Sequence, residues 1–599
     1  MSKTIPFDGH LVVDQFGYRP ADPKVAVIRD PQEGYDSSAR FSPGFTYQVR
    51  RTADGHVVFT GTPVPWRGSA VQPSSGDRGW WFDFSVVNTP GSYFIYDVSR
   101  NVRSAAFNVD QQVYKNILAA AVRMYYYQRS GMAKRRPYAD PCWTDAAAYG
   151  GPDQDTQAHD INDPDNKTKF KDVSGGWFDA GDTNKYVTFA AQPVHQLLTA
   201  YQENPAAFTD DFNIPESGNG IPDLLDEVRW ETDWLKKMQF ADGSAALKVG
   251  EIVYAAAAPP SSDQQTRYYI PACSSSTIAA AGMFAHAAHV FSGIPALAAE
   301  SADLKARAMA AWDNYQAIRS KQTHCDTGVV HAGNADWPEE TQRAAAVVAA
   351  IYLFAATGSS SYDRYVQAHY RELQPYHDLG WSRYKPEQGE ALLFYTTLPH
   401  ADPTLRRTVL ADKLNDVRAG NQVYGFHPDD DLYRSFLGEA QYHWGSNNPR
   451  AAYGNTNMDV VTYGVDPANE ATYSTRAVEV LHYFHGVNPL AMVYLSNMYG
   501  YGATQSANEI YHTWFAPGTR WSDARSSACG PAPGYVPGGP NAQVVKDGVP
   551  GSLRPPAGQP PQKSYKDWNK ADPDKSWTVT EPAIYYQSGY VKLLSKFSQ

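Results

Sequence analysis

The chain predicts an N-terminal β-sandwich followed by a larger all-α domain. Three observations carry this. About seven short β-rich segments crowd the first 108 residues. Asp54-Gly55, a strong hairpin turn, lies between two of them. From Gln111 onward the apolar spacing changes from alternation to a helical period of about 3.6 residues. With 599 residues and 42% apolar content, the chain has material for more than one large core. The expected division is 1–108 for the immunoglobulin-like sandwich and 109–599 for the helical domain.

Taken in order, the strand segments are 11–13, 24–28, 46–50, 57–59, 80–84, 91–98 and 105–109. Each is short and rich in β-branched or aromatic residues, which suit a pleated, half-buried surface. Val113, Ile117, Leu118, Ala121, Met124 and Tyr125 then place one apolar stripe along a first long helix. Further helical stretches are read at 187–201, 224–238, 277–291, 303–319, 342–356, 362–373 and 474–485. Long Gly-, Pro-, Asn- and Asp-rich connections separate them, so the helices are expected to form a toroid with elaborate loops on one side. Pro555–Pro561 reads as an ordered surface loop.

Composition narrows the function. A net charge of −11 with no basic stripe excludes nucleic acid as a partner. The longest apolar run, Ala344–Gly358, is too short to span a bilayer and reads as a buried helix, so no membrane partner is expected. The opening Met1-Ser-Lys-Thr-Ile-Pro-Phe7 has no apolar core of a leader, so the chain is cytoplasmic or a leader has been removed. Cys142, Cys273, Cys325 and Cys529 read as too few and too scattered for a disulfide framework. The 40 Tyr and 15 Trp serve large cores, sugar stacking, or both.

The stretch with the most chemistry is Asp172-Val-Ser-Gly-Gly-Trp-Phe-Asp-Ala-Gly-Asp182, followed by Thr-Asn-Lys-Tyr186. Asp179 and Asp182 stand three apart on a glycine-punctuated loop, flanked by Trp177 and Tyr186. Glycine lets the backbone approach a ligand closely. Paired carboxylates beside aromatic rings suit carbohydrate chemistry: one group takes a proton from water while a ring stacks on the sugar. The same spacing also fits a solvated turn or a helix cap.

Gly175-Gly-Trp-Phe-Asp-Ala-Gly-Asp182 resembles the catalytic loop of family 9 glycoside hydrolases, the inverting cellulases. Thr580-Glu581-Pro-Ala-Ile-Tyr-Tyr-Gln587 is similar to that family's Asn-Glu-Val-Ala stretch, and Asn488-Pro-Leu and Gly538-Gly-Pro-Asn541 also correspond. The resemblance covers nearly the whole chain. It implies an (α/α)6 barrel behind the sandwich, with a cleft at one end. It also implies endo-acting β-1,4-glucan hydrolysis with inversion, an exo-acting glucosidase or glucosaminidase being the alternative within the fold. A non-catalytic carbohydrate-binding protein would be favoured if one of the carboxylates were missing.

Inversion needs an acid at the leaving oxygen and a base activating water on the opposite face, with the carboxyl groups about 6.5–9.5 Å apart. Two aspartates orienting one water cannot be that pair, so a partner must come from elsewhere in the chain. The resemblance makes Asp182 the base, Asp179 a second holder of the water, and Glu581 the acid. Where the family shows His-x-Arg, His512 matches but Trp514 replaces the arginine; Arg520 or ring stacking is the candidate substitute. Asp567 matches a family carboxylate near the acid, with an exposed loop Asp as the alternative. Trp444 and Tyr535 are candidate stacking platforms or core aromatics.

Relatives bearing the sandwich often hold a structural zinc on Cys and His ligands ahead of the catalytic loop. Here Ser130, Ala148 and Tyr149 occupy that stretch, and Cys142 and His159 do not complete a four-ligand set, so the zinc site reads as lost. His286/His289 and His482/His485 lie in apolar helices and read as core. Glu216–Asp223 fits a calcium loop or a capped entry to the next helix. The reading is thus an enzyme that requires no cofactor, acting on a β-glucan polymer or oligosaccharide. It is expected to be monomeric and secreted or periplasmic.

Overall fold

The computed structural model describes residues 5–598 except 167, 254–256, 378–379, 382–383 and 421. Residues 1–4 of the opening heptapeptide lie outside the described residues.

The N-terminal region is a two-sheet sandwich. One sheet runs Leu11–Val12, Val25–Pro31, Asp77–Asp83, Val64–Pro65, with Val71–Gln72 also pairing with Asp77–Asp83. The other runs Gly17–Tyr18, Phe107–Val109, Gly91–Asp97, Tyr47–Arg51, Val57–Gly61, with Val102–Arg103 against Gly91–Asp97. The strands flanking Asp54-Gly55 pair antiparallel, with Tyr47 opposite Gly61. Alternate side chains such as Tyr47, Val49, Ile95, Phe107 and Phe82 point between the sheets and form the core.

The rest, among the described residues, is a double ring of twelve helices, each of ten residues or more. They are α1 (Lys115–Gln128), α2 (Ala191–Glu203), α3 (Asp223–Met238), α4 (Ser274–Phe291), α5 (Ala298–Ala317) and α6 (Glu339–Thr357), then α7 (Ser360–His369), α8 (Pro386–Tyr395), α9 (Pro403–Arg418), α10 (Asn447–Thr462), α11 (Glu470–Phe484) and α12 (Ile584–Ser595). The even-numbered helices pack side by side as α2, α4, α6, α8, α10 and α12 and close back onto α2, while odd-numbered helices pack outside them. This is an (α/α)6 barrel. Burial follows from the ring: α4 and α6 are buried on nearly all sides, whereas α5 hides only one stripe and α9 only Leu405, Val409, Lys413 and Val417.

The sandwich and barrel are joined by buried polar contacts. Asp77 of the sandwich accepts from Arg29, from Lys563 Nζ at 2.6 Å and from Tyr433, and Asp14 accepts from His485 Nδ1 at 2.9 Å and Tyr114 at 3.1 Å. Buried charges need such partners, because desolvation otherwise disfavours them. Pro555–Pro561 leads into this seam, where Gln562 donates to Ser74 and Asp431.

All four cysteines are paired, although they read as too few and too scattered for a disulfide framework. Cys142 joins Cys529 across 387 residues and Cys273 joins Cys325 across 52. The pairing is spatial, and no sequence spacing betrays it.

Between α1 and α4 the chain inserts a small sheet in the order Phe170–Lys171, Ala158–Asp160, Tyr268–Cys273, Ala245–Gly250, Lys185–Tyr186. This sheet supports the loop that follows.

Candidate active site

Residues 175–182 form a tight loop whose shape is set by close approaches. Gly176 has φ +75°, and a Cβ there would sit 2.7 Å from the Trp234 ring; a Cβ on Gly181 would meet Tyr511 O at 2.2 Å. Neither position admits a side chain without displacing its neighbour. The loop's peptide groups are held on both sides. Gln128, the last residue of α1, donates through Nε2 to Phe178 O (3.2 Å) and Ala180 O (2.8 Å), and its own carbonyl accepts from Phe178 N. Thr513 donates to Gly181 O through both N and Oγ1. Trp177 N donates to Glu231 Oε2 at 2.7 Å, and Lys185 Nζ donates to Gly175 O at 2.8 Å. A loop so pinned fixes where Asp179 and Asp182 point.

Glu581 arrives from the far end of the chain. One helical turn, Trp577–Thr580, ends at it, and Pro582 then bridges to Pro537 before α12 begins. Ile584 N donates to Asp179 O at 2.9 Å, stitching this segment to the aspartate loop. A Cβ on Gly181 would come within 3.2 Å of Glu581 Oε1, so the glutamate carboxyl lies against the loop.

The three carboxyl groups line one cavity of about 610 Å³. Asp179 and Asp182 are 4% and 9% exposed, and Asp179 Oδ1 and Asp182 Oδ1 have no hydrogen-bond donor in the protein. These orphaned acceptors are available to a water or a sugar hydroxyl. Asp182 Oδ2 accepts from Tyr186 OH at 2.9 Å and from Asn184 Nδ2 at 3.3 Å. Burial pushes the Asp182 carboxyl up to about 6; the Tyr186 hydrogen bond and the positive charges of Lys248 and Arg267 hold it from rising further. Asp179 is raised well above the ordinary carboxylate range by burial, then by the charges of Asp182, Glu581 and Glu231. Glu581 is raised well above it too, by burial and then by Asp182. The environment therefore pushes Asp179 and Glu581 toward the protonated form, while Tyr186, Lys248 and Arg267 favour the ionised form of Asp182.

Aromatic rings surround them. Tyr186, Phe189, Trp444, Tyr511, Trp577 and Tyr585 line the cavity, Trp444 with 44% of its surface exposed. Sequence reading reached Tyr186 and Trp444 but missed Phe189, Tyr511, Trp577, Tyr585 and His331. Of these, Tyr511 directly precedes His512, and Tyr585 lies four residues after Glu581.

Several expected contacts fall elsewhere. Trp177, Trp514 and Tyr535 do not line the cavity; they are buried in the barrel core at 1%, 1% and 0% exposure. Trp177 packs on Tyr125 and donates toward Glu227. His512 is buried as well: its Nδ1 accepts from Trp514 N, so Nε2 donates to Gln128 Oε1 at 2.8 Å. Burial lowers the His512 imidazole to about 3, so it remains neutral. His512 and Tyr535, which also points its hydroxyl at Gln128, thus act on the loop through Gln128 and not on the cavity. Asp567 is held by Asn508 N, Asn508 Nδ2 and Tyr565 OH at 2.9–3.0 Å, outside the cavity lining, and burial pushes it up to about 7. Arg520 lies on the Cys142–Cys529 disulfide and does not supply a charge to the cavity.

The residues in the zinc stretch do not fit that metal. Ser130 donates to Asp155, which is neutralised by Lys185 at 2.7 Å and Arg267 at 3.0 Å, and Tyr149 donates to Thr183. Cys142 is in a disulfide and His159 pairs with Asp153. Among the described residues, the compact His/Cys/Asp/Glu group is Cys273, Cys325 and Asp336, whose sulfurs are bonded to each other. In the Glu216–Asp223 loop, Glu216 forms a two-point ion pair with Arg129, and Asp223 accepts from Phe212 N and Ser217 Oγ at the start of α3. Glu216 is engaged by protein donors through both oxygens, and Asp223 through Oδ2 alone.

A buried acid, a more acidic carboxylate and a ring-lined cleft are the equipment of a glycoside hydrolase. Residues 114–594 match the family model "Glycosyl hydrolase family 9", and residues 8–98 match "Cellulase N-terminal ig-like domain". The chain belongs to glycosyl hydrolase family 9. It is 26% identical to a cellulose 1,4-beta-cellobiosidase of Acetivibrio thermocellus, over 96% of this chain and 66% of that protein. It is 27% identical to endoglucanase C of Cellulomonas fimi, over 96% of this chain and 50% of that protein. The chain thus spans about two thirds and half of these relatives' lengths. The crystal structure of a metagenome-derived glycoside hydrolase family 9 endoglucanase superposes with a TM-score of 0.80 at 28% identity, covering 98% of each chain.

Proposed function

We propose that this protein is an endo-β-1,4-glucanase that cleaves internal bonds of cellulose or a related β-glucan by single displacement with inversion. The observation that carries the reading is that three carboxyl groups, two from one pinned loop and one from the far end of the chain, share one ring-lined cavity, with an unpaired oxygen on each aspartate. In this reading Asp182, ionised, takes a proton from a water held between Asp182 Oδ1 and Asp179 Oδ1 as that water attacks the anomeric carbon. Glu581, protonated, donates to the departing glycosidic oxygen. The atoms balance: the C–O bond to the leaving sugar breaks, a C–OH bond forms on the opposite face, and one proton passes from water to Asp182 while another leaves Glu581. Burial of both groups keeps the charges unscreened, which strengthens their action on the transition state.

Trp444, Tyr511 and Trp577 supply ring faces for sugar stacking, and Tyr186 orients the base. The two disulfides support an extracytoplasmic location, secreted or periplasmic, where such bonds persist. We take the active species to be a monomer.

The test is product analysis on carboxymethyl-cellulose and cello-oligosaccharides, by size and by anomer. The reading expects a rapid fall in viscosity, mixed oligosaccharide sizes, and the α-anomer as the first product. Release of a single small product from chain ends without a viscosity drop makes the enzyme exo-acting, in line with the cellobiosidase relative. A β-anomer excludes inversion.

A further inference from the structure

One wall of the cavity is a loop with little structure of its own. His331, Ala332 and Gly333 line the catalytic cavity and also, with Asp326, Thr327, Gly328 and Asn334, an adjoining hollow. Val330 and Ala335 pack into a small apolar cluster with Tyr186, Leu247, Ile270 and Cys273, and the stretch between them is held by specific ties. Beside the Cys273–Cys325 disulfide, one such tie is Lys248, wholly buried in the strand Ala245–Gly250. Lys248 Nζ donates to Asp326 Oδ2 at 2.9 Å, Ala332 O at 2.8 Å and Gly333 O at 2.8 Å. Three acceptors use all three protons of an ammonium, so the geometry requires Lys248 to be charged. Lys248 stands directly opposite Tyr186 across the strand pair, with Nζ 5.4 Å from that ring. Tyr186 OH is the group that donates to Asp182, and Asn184 links Asp182 to His331 O at 3.0 Å.

We propose that Lys248 is a positioning residue with two effects: it fastens the wall formed by residues 326–335, and its charge, behind Tyr186, keeps Asp182 ionised at working pH. The second effect rests on the reading of Asp182 as the base; the first does not. The other groups facing Asp182 are Asp179 and Glu581, which oppose its ionisation, Arg267, which favours it, and the hydroxyls of Tyr186, Tyr511 and Tyr585. Both cations are paired, Arg267 with Asp155 and the carbonyl of Thr183 and Lys248 with Asp326. Lys248 is the one that connects base and wall.

The experiment compares Lys248→Met, Lys248→Arg and Asp326→Asn with the intact enzyme on cello-oligosaccharides, with melting curves for each. Lys248→Met removes the charge, so the base needs a higher pH to ionise: the acidic limb of kcat/KM moves up by about one pH unit, within the range for a lost neighbouring charge. Lys248→Arg restores the limb to within about 0.3 units, as expected when the charge is kept. Asp326→Asn keeps the ammonium but loosens the wall, so KM rises about tenfold, the cost of one charged hydrogen bond, and the limb does not move up. An even loss of activity at all pH values in Lys248→Met, with the limb unmoved, overturns the electrostatic effect. Unchanged KM in Asp326→Asn overturns the wall. If Lys248→Met does not fold, Lys248→Arg and Asp326→Asn decide: a limb displaced upward in Lys248→Arg contradicts the proposal. Asp182→Asn separates the two readings, because a residual activity that keeps the wild-type acidic limb removes Asp182 as base whatever Lys248 does.

Discussion

Replacing Tyr186 by Phe removes the hydrogen bond that most favours the ionised form of Asp182. The change removes one hydroxyl, which also accepts from Asn184 Nδ2 at 3.0 Å; Asn184 Nδ2 keeps its bonds to Asp182 and His331 O. The ring stays stacked on Phe189 at 4.6 Å and opposite Lys248 in its strand, so the wall and the loop are kept. The donor lies 2.9 Å from a carboxylate that is 9% exposed, where screening by water is weak. A hydrogen bond to a charged group contributes about 1.5–3 kcal/mol, and one pKa unit corresponds to about 1.36 kcal/mol. Losing it therefore raises the Asp182 carboxyl by about one to two units from its value of about 6. The sign follows from the role: a protonated Asp182 cannot accept a proton from water, so raising its pKa removes activity on the acidic side. The assay is kcat/KM on a soluble cello-oligosaccharide across the acid to mildly basic range. Tyr186→Phe should shift the acidic limb upward by about one to two pH units and recover most activity above it. A limb that stays in place while activity falls equally at all pH values refutes the assignment of Asp182.

Asp182→Ala should lose about 10²–10⁴-fold in kcat, as for a general base, with substrate binding largely kept; retention of more than about a tenth of wild-type kcat excludes it as the base. Gln128→Leu strips partners from Phe178 O, Ala180 O and His512 Nε2, each buried orphan costing about 1–3 kcal/mol, so melting temperature and kcat should both fall, with KM little changed. A melting point and kcat equal to wild type would show that Gln128 does not hold the loop. Prolonged treatment with a strong chelator should leave the melting curve unchanged, since Ser130, Ala148 and Tyr149 provide no zinc ligands; stoichiometric zinc by elemental analysis contradicts this.

Local sequence carried Tyr47–Arg51 and α5 because their burial is one-sided, with the period expected of a strand and of a helix. Val25–Pro31, α4 and α6 are buried on nearly all sides and were legible as apolar runs. The helices α8, α9, α10 and α12 escaped that reading. The inner-ring helix α10 buries Asn447, Asn455, Thr456 and Asn457 alongside Ala and Tyr, so its buried side is not apolar. For α8 and α9, Pro386 and Pro403 at the first helical position were a usable start signal.

The aspartate loop was legible because close backbone approaches demand glycine at fixed places, and that demand is written in the sequence. The aromatic lining was not. Trp177, Trp514 and Tyr535 face the core, while Tyr511 and Trp577 face the cavity, and composition cannot tell one from the other. The ring direction is decided by loop paths, which depend on long-range ties such as Cys273–Cys325 and Lys248–Asp326.

The central claim is that Glu581 donates a proton to the leaving oxygen while Asp182 activates water. The most direct test is Glu581→Gln assayed on two substrates, cello-oligosaccharides and a dinitrophenyl cellobioside, whose leaving group needs little protonation. The account predicts that Glu581→Gln loses most activity on the oligosaccharides but keeps much of it on the aryl glycoside, with a flattened basic limb there. Equal loss on both substrates would contradict it and give the acid role to another residue.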